Sequence, residues 1–289
     1  MTLNQRIGKF YDDSTDLWLN SWGEHMHHGY YGPDGKREVN HQQAQIDMIE
    51  ALLEWGQLPD RIDRIFDAGC GVGASSRYLA QRFPGAKTLG LTLSPVQAAR
   101  GKKLNERAVL AEQCEIRAAD VYATDPSREG KFDLIWSMES AEHMGDKPRL
   151  FKLFHDLLRP GGTLLMATWC HRDEPPALSS AEQANLNKLC KLYHLPPWTS
   201  IPELARDAKD AGFQNIHTDD WSEGISPFWG AVIKESLRPA NWPSLLRSGP
   251  GTLKGAWAMR YMQKGFREGS IRYGMLTAKK GSASTNAHA

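Results

Sequence analysis

Apolar positions along this chain follow two rhythms that alternate. Runs of strand length stand at Arg64–Ala68, Lys87–Leu91, Cys114–Ala118, Phe132–Ser137 and Thr163–Thr168. Each is short, apolar and bounded by polar or glycine-containing segments, as a buried strand is. Between them lie helix-like stretches such as Ser75–Ala80, Val96–Ala108 and Arg149–Leu158. Strand and helix in alternation predict an α/β fold with a parallel sheet covered on both faces. Residues 1–60 read as helical, most clearly at Gln42–Leu53, where apolar residues recur every three or four positions. After Trp169 the alternation breaks at Asp173-Glu174-Pro175-Pro176 and Leu195-Pro196-Pro197-Trp198, an inserted segment. Ile201–Ala211 reads as another helix, and Asn215–Thr218 and Ile271–Ala278 as the last strands. The expected organisation is an N-terminal helical lid (1–60), a core (61–221) with an insertion near 170–200, and a helical cap (222–270). A last core strand (271–280) and a small, polar, disordered tail (281–289) complete it.

Ligands of open parallel sheets bind outside the carboxyl ends of the strands, so the residues ending each run are the site candidates. The first run ends in Asp67-Ala68-Gly69-Cys70-Gly71-Val72-Gly73. A glycine turn between strand and helix lets backbone N–H groups approach a cofactor closely. Dinucleotide folds use Gly-x-Gly-x-x-Gly with an acid about 20 residues later; here the spacing is Gly-x-Gly-x-Gly and the acid, Asp67, comes first. That pattern disfavours NAD and suits a zwitterionic, cationic ligand such as S-adenosyl-L-methionine. At the second strand end Thr92, Leu93 and Gln97 replace a ribose-binding acid with hydroxyl, backbone and amide. Ser94 with Pro95 reads equally as a helix cap. Asp120, followed by Val121, is a candidate acceptor for an adenine amino group or a simple turn residue, and Ser137 ends the fourth run.

That fourth end continues as Met138-Glu139-Ser140-Ala141-Glu142-His143. On a helical turn Glu139, Glu142 and His143 would share one side, and a positioned His or Glu can accept the proton that an acceptor loses on methylation. These three are the catalytic candidates, against a reading as a capping and salt-bridge cluster. His25-Met26-His27-His28, set among Trp18, Trp22, Tyr30 and Tyr31, reads as an aromatic lid over a flat substrate. His27, His28, Tyr31, Trp169, His171 and Trp229 are the substrate-binding candidates. No Cys, His or Asp group has the spacing of a metal site, so no metal is expected.

Four scattered cysteines without a Cys-x-x-Cys pair argue for a reducing compartment. A net charge of +1 argues against a nucleic-acid partner, but it averages two unlike parts. Ile225–Lys280 carries ten Lys or Arg against two Glu, a net +8, which leaves −7 for the remainder. Aromatics interleave with these cations, a combination suited to an anionic membrane surface, although a solvated helical cap would read the same way. With no membrane-spanning run and no signal or transit segment visible, the expected location is cytoplasmic, with peripheral contact at a membrane.

With those residues assembled, the chain resembles the tocopherol C-methyltransferases of cyanobacteria and plastids. The matching blocks include Phe10-Tyr11-Asp12, Trp22 through Gly29, Leu91 through Gln97, Trp136 through Ser140, Glu142-His143-Met144, Thr168 through Arg172, Asp220-Trp221-Ser222 and Pro227-Phe228-Trp229. Ala74 and Ala141 stand where that family usually has glycine. The resemblance implies a Rossmann-like, seven-stranded sheet whose last strand is antiparallel, with S-adenosyl-L-methionine as donor. It also implies a prenylated phenol as acceptor, methylated on the chromanol ring carbon ortho to its hydroxyl (γ- to α-tocopherol, δ- to β-tocopherol) in vitamin E biosynthesis. Related plant alkaloid N-methyltransferases share the Glu-x-x-Glu-His positions, so N-methylation of an amine is the alternative. A non-catalytic protein holding S-adenosylmethionine or lipid is the alternative of another class.

Overall fold

Seven strands form one sheet: β1 (Arg64–Ala68), β2 (Lys87–Thr92), β3 (Cys114–Ala118), β4 (Phe132–Met138), β5 (Leu158–His171), β6 (Phe213–Asp220) and β7 (Ile271–Lys280). This computed structural model describes residues 1–236 and 249–282. Residues 283–289 of the expected tail and 237–248 of the expected cap lie outside the described residues, as do the side chains of Lys254 and Trp257. The strand order is β3-β2-β1-β4-β5-β7-β6. Neighbours from β3 to β5 are parallel, and β7 runs antiparallel between β5 and β6. The seventh strand therefore lies in the orientation that the family resemblance implies.

Side chains of a strand alternate between faces, and here both faces are apolar. Leu134, Trp136 and Met138 of β4, with Leu165 and Ala167 of β5, enter one core, which also holds Met48, Leu52 and Trp229. Ile135, Leu164 and Met166 enter the other, against Phe151 and Phe154 of the helix Lys147–Leu157. β5 runs on past its apolar run to His171 because it pairs with β7 from Thr163 to His171.

Helices α1 (Leu3–Trp22) and α2 (His41–Trp55) precede the sheet, while residues 23–40 between them are not helical. Gly23, Gly32 and Gly35 hold positive φ there, which breaks the helical period that residues 1–60 suggest. α3 (Ala74–Arg82) and α4 (Pro95–Arg107) follow β1 and β2. The helices Phe228–Ser236 and Gly249–Arg267 precede β7.

Candidate active site

The strand order reverses between β1 and β4, and at such a point a crevice opens outside the carboxyl ends of the strands. A cleft of about 980 Å³ occupies that position. Gly69, Gly71 and Gly73 all have positive φ, the left-handed region where a Cβ is disfavoured. A side chain at Gly69 would strike Ser140, and one at Gly73 would strike Ile116. At Gly71 the nearest atom to an added Cβ is Met26 Sδ at 3.9 Å, so this glycine leaves its backbone open toward the cleft. Gly69 also borders the cleft, whereas Gly73 caps α3 behind it. Buried Arg77 ties the loop down by donating to Val72 O at 2.8 Å and to Asn105 Oδ1 at 2.9 Å.

Asp67 is buried at the cleft wall and accepts a bond from Ser76 Oγ at 2.6 Å. Burial pushes its carboxyl up to about 7, and an ammonium facing it would restore the charge. Thr92 and Gln97 also border the cleft, with Thr92 donating to Gln97 Oε1 at 2.7 Å. Leu93 lies between them in the same wall, and Ser94 caps α4 as its sequence suggests. Asp120 and Val121 border the cleft further along. Asp120 accepts from Tyr122 N–H at 2.9 Å, the turn role, and from Asn4 Nδ2 at 2.7 Å. Ser137 does not reach the cleft, because its hydroxyl is bonded to Ser140 Oγ at 3.0 Å beneath the wall.

The roof is α1 together with His25–His27. Gly8 lets α1 lie on the loop after β2, since a Cβ there would stand 2.9 Å from Leu93 O. Ile7 and Tyr11, four apart on α1, therefore face the cleft. Tyr11 OH lies 2.8 Å from His143 Nε2, while His143 Nδ1 is buried without a protein partner. Burial lowers His143 to about 4, so its ring is neutral, and burial with the charges of Glu142 and Glu139 pushes the Tyr11 phenol up. Sequence reading placed Tyr11 in a motif but not in the site. The only local signal was its spacing from Ile7; its partner lies 132 positions away.

Glu139, Glu142 and His143 do not share one side. Glu139 follows β4 with φ 48°, and Ala141–His143 makes a single 3-10 turn, so the three side chains diverge. Glu139 is buried at the cleft wall and accepts four bonds. Its donors are His28 N–H (2.6 Å), His28 Nδ1 (2.7 Å), Tyr273 OH (2.7 Å) and Trp169 Nε1 (3.1 Å). Burial alone would raise this carboxyl, but the facing His28 outweighs it and holds the carboxyl below its ordinary range. Glu142 lies outside the cleft wall and accepts from Thr168 Oγ1 of β5 at 2.8 Å. Burial, with the Glu139 charge added, pushes it up to about 8.

His27 borders the cleft and its Nε2 is buried without a protein partner. Gln45 of α2 donates to the carbonyls of both His25 and His27, fixing this segment. The other substrate-binding candidates stand outside the cleft. His28 is fully buried, Tyr31 packs in the core, and Trp169 stacks on Trp198 while donating to Glu139. His171 bonds Arg172 O at 2.6 Å and faces Glu203, and Trp229 packs against Trp22 and His28. Around His28 these aromatics form a closed wall rather than an open lid. Among the described residues, no group of three His, Cys, Asp or Glu side chains stands so as to hold a metal ion.

A family profile described as a methyltransferase domain matches residues 39–218. With this sheet order and a cleft at the switch point, the chain belongs to the class I S-adenosylmethionine-dependent methyltransferases. Within that class it belongs to the tocopherol methyltransferase family. It is 42% identical over 289 residues to the chloroplastic tocopherol O-methyltransferase of Arabidopsis thaliana, covering 96% of this chain and 82% of that one. It is 31% identical over 270 residues to 2-methyl-6-phytyl-1,4-hydroquinone methyltransferase of Synechocystis sp., covering 91% of this chain and 83% of the relative. Geranyl diphosphate C-methyltransferase from Streptomyces coelicolor, solved with S-adenosyl-L-homocysteine, superposes with a TM-score of 0.75 at 19% identity. That match covers 97% of this chain and 98% of the other, a likeness of fold. No helix among the described residues is long and apolar enough to cross a membrane. The Arabidopsis relative is chloroplastic by name, so the expected cytoplasmic location finds no support in that likeness.

Proposed function

We propose that this enzyme methylates a tocopherol on the chromanol ring carbon ortho to the hydroxyl, converting γ- to α-tocopherol and δ- to β-tocopherol. The observation that carries the acceptor is the 42% identity, over nearly the whole chain, to a tocopherol methyltransferase. S-adenosylmethionine supplies an electrophilic methyl group on a sulfonium. Asp67 faces its amino group, the Gly69–Gly71 backbone its carboxylate side, Thr92, Leu93 and Gln97 its ribose, and Asp120 and Val121 its adenine. α1 and the His25–His27 segment close over it as a lid.

His143 is the base for the ring hydrogen. Its neutral imidazole borders the cleft; with Nε2–H donated to the Tyr11 oxygen, Nδ1 presents a lone pair. Glu142 supports the turn that carries it, from behind the wall. The Arabidopsis relative is named an O-methyltransferase, so the position of the methyl group is what the experiment must decide. Purified enzyme is incubated with labelled S-adenosylmethionine and a panel of tocopherols and amines, and the product is resolved by mass spectrometry and NMR. A new ring-methyl signal supports this reading; a methyl on oxygen or nitrogen alone rejects it.

We also propose that the basic helix Gly249–Arg267 meets an anionic membrane surface from which the acceptor is collected. Exposed Arg260 and Arg267, on the face shared with Lys264, support that contact.

A further inference from the structure

Half of the His28 imidazole is committed and half is not. Nδ1 lies 2.7 Å from Glu139 Oε2, on a carboxylate that also accepts Trp169 Nε1, Tyr273 OH and the His28 backbone N–H. An ionised carboxylate can only accept, so Nδ1 carries a hydrogen. In the neutral ring Nε2 is then the lone-pair nitrogen, and it is buried with no partner in the protein. Leaving such an atom unpaired costs roughly 1–3 kcal/mol. The ring centroid lies 4.8 Å from that of Phe228 and 4.9 Å from that of Trp229. Trp229 in turn meets Trp22 at 5.4 Å, and the indole N–H groups of both are also buried and unpartnered. One lone pair and two N–H donors thus belong to rings packed together within an apolar enclosure. A hydroxyl on a flat aromatic ring is the group that can donate to the first and accept from the others.

We propose that the aromatic wall of Trp22, Phe228 and Trp229 parts to admit the acceptor, and that His28, held by Glu139, then binds its phenolic hydroxyl and takes its proton; this rests on the reading of the acceptor as a phenol. Glu139 is then a positioning residue. Among the described residues around His28 the other titratable groups are Tyr273 and His27; Trp169, Phe228, Trp229 and Phe266 bring no charge. Transfer of the O–H proton to Nε2 leaves electron density on the ortho ring carbon. That carbon forms the new bond to the donor methyl, and the S–C bond breaks with its electron pair on sulfur. The ring hydrogen leaves as a proton to His143 and then to solvent, and the proton on His28 returns to the phenolic oxygen.

The test is His28→Gln in the full chain, assayed with γ-tocopherol in detergent micelles. Turnover should fall by about 10²–10⁴-fold, the range of a general acid–base group, with KM for the donor unchanged. Affinity for S-adenosylmethionine by calorimetry should stay unchanged, because His28 does not border the cleft. Glu139→Gln should lower kcat in the same direction. Wild-type turnover in folded His28→Gln overturns the proposal and leaves the tocopherol reading standing. A wild-type enzyme that methylates no phenol overturns both. Should the variants fail to fold, ¹⁵N-histidine NMR of the wild-type enzyme with S-adenosylhomocysteine decides. γ-Tocopherol should shift an Nε2 resonance that its O-methyl ether leaves in place, and equal spectra overturn the proposal.

Discussion

Glu142 and His143 are adjacent in sequence and opposite in situation. His143 faces the cleft and Tyr11; Glu142 faces Thr168. Burial pushes the Glu142 carboxyl from 4.5 to about 8, so the folded protein holds a proton that the unfolded chain releases at lower pH. Stability contributed by that proton is full below 4.5 and declines as pH rises through 8. Gln is neutral at every pH, so Glu142→Gln should remove this decline. Its melting temperature should overtake that of wild type above pH 8, by the equivalent of a few kcal/mol at about 1.4 kcal/mol per pKa unit, and gain nothing below pH 4.5. Asp67, raised to about 7 by the same burial, keeps its own decline in both proteins. Parallel melting curves across pH would show that Glu142 is ionised in the fold. Turnover by Glu142→Gln should stay within a few-fold of wild type, against a loss of about 10²–10⁴-fold for His143→Ala. These differences were invisible in sequence. Spacing places Glu139, Glu142 and His143 together, but the positive φ of Glu139 sends its carboxylate to His28 and leaves the other two to separate neighbours.

At the scale of elements the sequence was easier to read. β1 and β3 coincide with their strand-length runs because each is short and bounded by turn residues on both sides. The Gly-x-Gly-x-Gly loop likewise falls between β1 and α3, since only glycine suits its three left-handed positions. The roof was less legible, because its position depends on packing between distant segments. α1 is an ordinary helix by period, and nothing local says that Gly8 will rest on Leu93 O. That contact gives a prediction for the lid. Gly8→Leu puts a branched side chain where even a Cβ would stand 2.9 Å from a backbone oxygen, so α1 must lift from the loop after β2. Affinity for S-adenosylmethionine should fall about tenfold or more, equivalent to about 1.4 kcal/mol, together with turnover. The sheet, which does not depend on α1, should keep its circular dichroism. Unchanged donor affinity in calorimetry would mean that α1 plays no part in closing the cleft.

Across the whole molecule charge is divided unequally, with +8 in residues 225–280 and −7 in the rest. The helix Gly249–Arg267 brings part of that charge to one side. Ala258, Met262 and Phe266 face the core, while Arg260, Lys264 and Arg267 fall at i, i+4 and i+7 on another face. Trp229, by contrast, is buried against His28, and Phe228 and Tyr273 are buried with it, so the membrane contact must rest on the cations. A Lys or Arg near an anionic surface contributes about 1 kcal/mol, and three on one face would produce measurable binding. Sedimentation with vesicles should therefore recover more protein with anionic than with neutral lipid. The excess should vanish at 1 M salt, where the screening length is about 3 Å. Replacing all three cations by Glu should abolish the excess while leaving methylation of detergent-solubilised γ-tocopherol intact, because none of them borders the cleft. Equal sedimentation with both lipids, or with the triple variant and wild type, would make this face an ordinary solvated one and require the acceptor to reach the enzyme by another route.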